Sequence, residues 1–166
     1  MSPRPVPEHF DEIANKHCRY TYGNGWAGRE TERTYEFWVK NHERIVYQIH
    51  SGPLAGRVNF QTAYYQRLRP HQWQISWVEE TASQVTLCVD FDEKTVTSFI
   101  ALSWGHFHHA HEATGWKREK MDEWRKLGKI KPEPENRVLL PEKATIHEIS
   151  EGRGDLPDIE MEWPTL

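Results

Sequence analysis

Large side chains that alternate with period two, in short runs broken by turn residues, narrow most sharply what this chain can become. Successive side chains on a strand point to opposite faces. The run Trp73-Gln74-Ile75-Ser76-Trp77-Val78-Glu79 therefore sets Trp73, Ile75, Trp77 and Glu79 on one face, with Gln72, Gln74, Ser76 and Val78 on the other. The period recurs in Tyr20 and Tyr22, in Tyr35, Phe37 and Val39, in Ile45, Tyr47 and Ile49, and over 62–68, 84–91 and 95–102. Asn24-Gly25, Ser51-Gly52-Pro53, Arg69-Pro70-His71 and Asp92-Glu93-Lys94 supply the breaks. So many short strands at near-regular spacing predict a mainly β fold, an antiparallel meander curling into a barrel, with one or more short flanking helices.

Helical spacing is scarce. Phe10, Ile13 and Ala14 predict one short helix or turn in an N-terminal extension, 1–17, packed on the body. Met121, Trp124 and Leu127 form an apolar stripe over 116–127, stopped by Gly128, and that helix is expected to cover one end of the barrel. A last strand is expected over 143–149, then a tail, 151–166, whose Pro157 and Pro164 point to partial disorder. There are no internal repeats, and residues 1–166 are expected to form a single domain.

Only 37% of the 166 residues are hydrophobic, but 12% are aromatic and eight are Trp, which supplies bulk for a core amid polar loops. The net charge of -4 and the lack of a dense basic run argue against nucleic acid as a partner. No apolar stretch approaches the roughly 18 residues of a membrane span, and the start Met1-Ser2-Pro3-Arg4-Pro5 lacks a secretory h-region, so a cytoplasmic location is expected. Cys18 and Cys88 lie in no CxxC pattern and are expected as free thiols.

A few polar side chains fall on the inward parity. If Trp73, Ile75 and Trp77 face the interior, Glu79 does too, unless it lies past the strand end in water like Glu80. A desolvated carboxyl holds its proton nearer neutral pH and can act as a general acid. Tyr20 and Tyr22 share a face about 7 Å apart and could converge on one ligand group, or simply pack. Tyr35 is in register with Phe37 and Val39. Arg57, after Gly56, is either a solvated turn residue or a second inward charge. His106-Phe107-His108-His109-Ala110-His111-Glu112 is rich in metal-ligand types, but nothing resembles HExxH and no remote third ligand declares itself, so no metal is expected.

Read in order, Tyr20-Thr21-Tyr22-Gly23-Asn24-Gly25-Trp26, then Tyr35-Glu36, Ile49-His50-Ser51-Gly52-Pro53-Leu54-Ala55-Gly56-Arg57 and Ser76-Trp77-Val78-Glu79 resemble the phenolic acid decarboxylases. The resemblance is densest between Tyr20 and Leu87. It implies a lipocalin-like barrel, a homodimer, and cofactor-free conversion of 4-hydroxycinnamic acids of the p-coumaric, ferulic and caffeic type to 4-vinylphenols and CO2. It also implies catalytic roles for Glu79, Arg57, Tyr20 and Tyr22 and a pocket role for Tyr35. Apolar walls are expected from Ile49, Val58, Ile75, Trp77 and Leu87. The chemistry suits these residue types. Loss of the para-hydroxyl proton pushes electron density to the alkene, an acid protonates the carbon bearing the carboxylate, and the resulting quinone methide releases CO2.

Two opposing influences meet at Glu79, since burial raises a carboxyl pKa and a nearby guanidinium lowers it. The orientation of the substrate between the tyrosines and the Glu79–Arg57 end stays open, and a non-catalytic barrel that binds a small aromatic ligand is the competing expectation. The chain departs from the family pattern in three places: a longer stretch over 27–34, the histidine-rich segment, and Glu80-Thr81-Ala82-Ser83-Gln84 where many members carry Pro-Thr-Gly-Thr-Asp.

Overall fold

A computed structural model describes residues 2–23 and 32–166. The Asn24-Gly25 turn and most of the longer stretch over 27–34 lie outside the described residues. Alternation is translated directly into strands: β1 (Lys16–Tyr22), β2 (Arg33–Asn41), β3 (Arg44–Ile49), β4 (Arg57–Thr62), β5 (Tyr64–Arg69), β6 (Gln72–Val78), β7 (Gln84–Asp90) and β8 (Thr95–Leu102). Helix α1 (Trp104–His108), strand β9 (Gly115–Trp116), helix α2 (Lys117–Leu127) and strand β10 (Val138–Glu151) follow. These make one ten-stranded sheet in the order β5-β6-β7-β8-β10-β1-β2-β3-β4-β9, antiparallel except for the short β4–β9 pair.

The sheet curls, because side chains from the two ends of that order meet: Arg57 of β4 bonds Glu79, the residue after β6, at 2.7 Å. Only Ala63 separates β4 from β5, yet no ladder joins them among the described residues. The mainly β expectation therefore holds, while the hydrogen-bonded sheet is open where a barrel was expected.

Register explains what faces inward. Tyr20 pairs with Tyr35 and Tyr35 with Ile49, giving one row across β1, β2 and β3. Phe37, Tyr47 and Asn59 make the next. From the far side come Trp77, Val85 and Ile100 in one row, and Ile75, Leu87 and Ser98 in another. The concave face holds the main core, from Phe10 and Ile13 at one end to Trp124 and Leu127 at the other. The predicted N-terminal turn is a single 3-10 turn at Phe10–Glu12, and Phe10 and Ile13 are core residues.

The 151–166 segment differs from the partly disordered tail that its prolines predict. Leu156 and Ile159 are buried with Trp38, Val46 and Phe60 on the convex face, which is why Trp38 is buried although its neighbours Phe37 and Val39 face the other way. Strand β10, which precedes this segment, begins earlier than expected, at Val138. Helix α1 is clamped on the end of α2: a Cβ on Gly105 would come within 2.2 Å of the Leu127 carbonyl oxygen, a contact only glycine permits. Cys18 and Cys88 are free thiols. No helix among the described residues is long and apolar enough to cross a membrane.

Candidate active site

The concave face leaves a slim cavity of ≈ 40 Å³ lined by Tyr20, Tyr22, Tyr35, Tyr47, Ile49, Leu54, Arg57, Trp77, Glu79, Val85, Leu87, Ile100, Leu102 and His106. At one end stands a buried ion pair, Arg57 with Glu79. Arg57 begins β4, and the positive φ of Gly56 before it turns the chain from the preceding loop into the strand. Its guanidinium donates from Nη2 to Glu79 Oε2 at 2.7 Å, from Nε to the Tyr47 hydroxyl at 3.0 Å and from Nη1 to the Ala113 carbonyl at 2.5 Å. The indole of Trp124 on α2 lies 3.7 Å from the guanidinium carbon and closes this end from outside. Glu79 follows the parity of β6 inward and receives two more donors on Oε1, the Tyr47 hydroxyl and Trp77 Nε1–H at 3.0 Å.

The other end is phenolic. Tyr20, Tyr22 and Tyr35 pack as a triangle of rings with centroids 5.3–5.7 Å apart. Tyr22 donates its proton to Ser98 Oγ at 2.9 Å, so of the adjacent pair only Tyr20 keeps a hydroxyl with no hydrogen-bond partner among the described residues. Burial raises all three pKa values, Tyr35 to about 12, so these groups are neutral donors at physiological pH and not bases.

The contest at Glu79 resolves in favour of the cation. Burial pushes its pKa up, but Arg57 and then His106, aided by the bonds from Tyr47 and Trp77, bring it down to about 2. In the free protein Glu79 is therefore a carboxylate, not the protonated acid that burial alone predicts. Behind it lies a second charged pair. Glu80 is buried, not solvated as expected, and takes an ion pair from Lys117 and hydrogen bonds from Gln61 at 2.9 Å and Asn59 at 3.3 Å.

Of the residues singled out from the sequence, Tyr20, Tyr22, Tyr35, Ile49, Arg57, Trp77, Glu79 and Leu87 border the cavity. Val58 does not, for a reason of parity: Arg57 and Asn59 are both fully buried on the concave side, which turns Val58 to the convex side. Ile75 is fully buried in the core but forms no part of the cavity wall. Tyr47 and His106 escape a reading of the sequence. Tyr47 alternates with Ile49 on the same face, a signal that could have found it. His106 sits in a five-residue helix, too short for any period, and differs from its neighbours: His108 stacks on Trp104 at 4.2 Å and His109 pairs with Glu112 at 3.2 Å. Among the described residues no group of three or more His, Cys, Asp or Glu side chains is placed to hold a metal ion.

The family model described as phenolic acid decarboxylase matches residues 10–159. Phenolic acid decarboxylase PadC of Bacillus subtilis is 35% identical over 101 residues, 60% of this chain and 58% of that protein. A Vibrio cholerae protein named as a probable phenolic acid decarboxylase is 35% identical over 82 residues, 49% of this chain and 43% of its own length. The aligned stretches thus span about half of these relatives. A solved Burkholderia vietnamiensis structure with a provisional beta-lactamase name superposes with a TM-score of 0.54 over 87% of this chain and 98% of that one; at 15% identity, the likeness is one of fold alone.

Proposed function

The chain belongs to the phenolic acid decarboxylase family, and from that membership we propose that it converts 4-hydroxycinnamic acids to 4-vinylphenols and CO2 without a cofactor. The observation that carries this reading is the pairing of a buried carboxylate with a buried guanidinium on the wall of a cavity whose far end offers phenolic donors. A pure binding protein has little use for a desolvated acid there. We read the curled sheet as a lipocalin-like barrel and the active unit as a homodimer.

Glu79 is assigned as the proton donor to the carbon that bears the carboxylate. That carbon is one bond from the leaving group, so the carboxylate lies toward Glu79 and Arg57 and the para-oxygen toward the tyrosines. As the para-hydroxyl gives its proton to solvent, Tyr20 and Tyr35 stabilise the oxyanion by donating hydrogen bonds, and Tyr22 supports them. The incoming carboxylate adds negative charge beside Glu79 and raises its affinity for a proton, so the acid form is made on binding. Proton transfer to carbon gives a quinone methide; CO2 leaves, its bonding electrons restore the aromatic ring as a 4-vinylphenolate, and solvent returns a proton to the para-oxygen and to Glu79. Ile49, Trp77, Val85 and Leu87 keep water from the intermediate.

The test is a panel of cinnamic acids followed by loss of the conjugated ultraviolet band. p-Coumaric acid should be consumed with stoichiometric 4-vinylphenol, and cinnamic acid, which lacks the para-hydroxyl, should be inert. Persistence of the p-coumarate band at several pH values would remove the assignment.

A further inference from the structure

At the Glu79 end, most donors are already engaged within the protein. Arg57 gives hydrogens to Tyr47, Ala113 and Glu79, while Tyr47 and Trp77 give theirs to Glu79. His106 is different. It is 2% exposed, its ring borders the cavity, and its Nε2 has no hydrogen-bond partner among the described residues. Buried polar atoms are rarely left so, and an orphan beside a cavity calls for an occupant.

The hydroxyls around the ring decide which nitrogen carries the proton. Nδ1 lies 2.8 Å from both Thr81 Oγ1 and Ser83 Oγ. Ser83 Oγ already accepts the backbone N–H of Ser103 at 2.9 Å and the Thr81 hydroxyl at 3.2 Å. Both its lone pairs are then occupied, and its own proton goes to Nδ1. An accepting Nδ1 leaves the proton of the neutral ring on Nε2. Burial, with Arg57 nearby, lowers the His106 pKa to about 3, so the ring stays neutral. Nδ1 is 4.0 Å from Glu79 Oε2, which places the ring at the acid end of the cavity.

We propose that His106 Nε2–H binds the carboxylate of the phenolic acid, a donor set by the Thr81 and Ser83 hydroxyls. The proposal rests on the decarboxylase reading, which directs the carboxylate toward Glu79. A carboxylate loses its charge as it becomes CO2, so this bond is strongest before the barrier. It therefore acts on substrate binding more than on the chemical step.

Two isosteres separate the donor from the scaffold. His106→Gln keeps an N–H near the position of Nε2 and loses the acceptor at Nδ1. His106→Asn keeps an acceptor for Ser83 but is too short to replace the donor. Cinnamate, a carboxylate without the para-hydroxyl, and 4-vinylphenol, a phenol without the carboxylate, are titrated by tryptophan fluorescence against wild type and both variants, each checked for a cooperative thermal transition. His106→Asn should weaken cinnamate about tenfold or more, as expected for a hydrogen bond to a charged group, with 4-vinylphenol within about twofold. His106→Gln should bind cinnamate within about threefold of wild type. With p-coumarate, His106→Asn should raise KM about tenfold and leave kcat within about threefold.

Cinnamate affinity unchanged in His106→Asn overturns the proposal. So do equal losses for both ligands, which mark a purely structural ring, and a His106→Gln as weak as His106→Asn. Wild type that consumes no p-coumarate overturns the decarboxylase reading instead, and the cinnamate titration still reports the contact.

Discussion

At Glu79 the ion pair with Arg57 ties the stability of the fold to pH. Beside Arg57 its pKa falls to about 2, below the ordinary carboxyl value of 4.5. The stabilisation is therefore fully present above about 4.5 and is lost as pH falls toward 2, on the order of 1–3 kcal/mol. Glu79→Gln leaves Arg57 buried without its counter-charge, so urea unfolding at pH 6 should show a weaker variant, and the gap to wild type should narrow as pH falls from 4.5 to 3. A gap constant over that range would mean that the pair contributes nothing through its charge. Parity along β6 made the inward placement of Glu79 legible, and the same rule applied to β4 excludes Val58 once Arg57 faces inward. His106 was not legible, because its place depends on Thr81, Ser83 and the close approach of Gly105 to α2, all contacts distant in sequence.

Strands were the most readable elements, since their period follows from covalent geometry; β8 matches the alternating run over 95–102 residue for residue. The two-residue β9, paired in parallel with β4 from Arg57 to Val58, has no period to read. The buried C-terminal segment was hidden by its prolines, whose lack of a donor is no obstacle to packing on a convex sheet face. Register also creates a surface. Val78, Gln84, Ala101 and Leu139 form one outward row, and Tyr64, Ser76, Thr86, Phe99 and Pro141 the next. Tyr64, Phe99 and Leu139 are at least half exposed there. An apolar sheet face of this kind suits a second copy. Light scattering should give twice 19.7 kDa for wild type and 19.7 kDa for Phe99→Lys/Leu139→Lys; a wild-type monomer would remove this dimer.

Across the whole molecule, curvature makes the site. Arg57 and Glu79 belong to opposite ends of the strand order and meet only because the sheet bends, while α2 seals the end they share with Trp124. Ordered motifs along the chain were enough to anticipate that Tyr20, Tyr22, Tyr35, Arg57 and Glu79 would gather, and the comparison over residues 10–159 agrees with that family. The open ladder between β4 and β5 was not anticipated, because closure depends on how far ten strands coil rather than on any one segment. In the proposed reaction the carboxyl gathered there delivers the proton to carbon. Initial rates of p-coumarate loss for Glu79→Gln against wild type test it most directly, with folding checked by the thermal transition. General acid catalysis is typically worth about 10²–10⁴-fold, so the variant should fall by at least about 100-fold; a folded variant within tenfold of wild type would mean that another group delivers the proton.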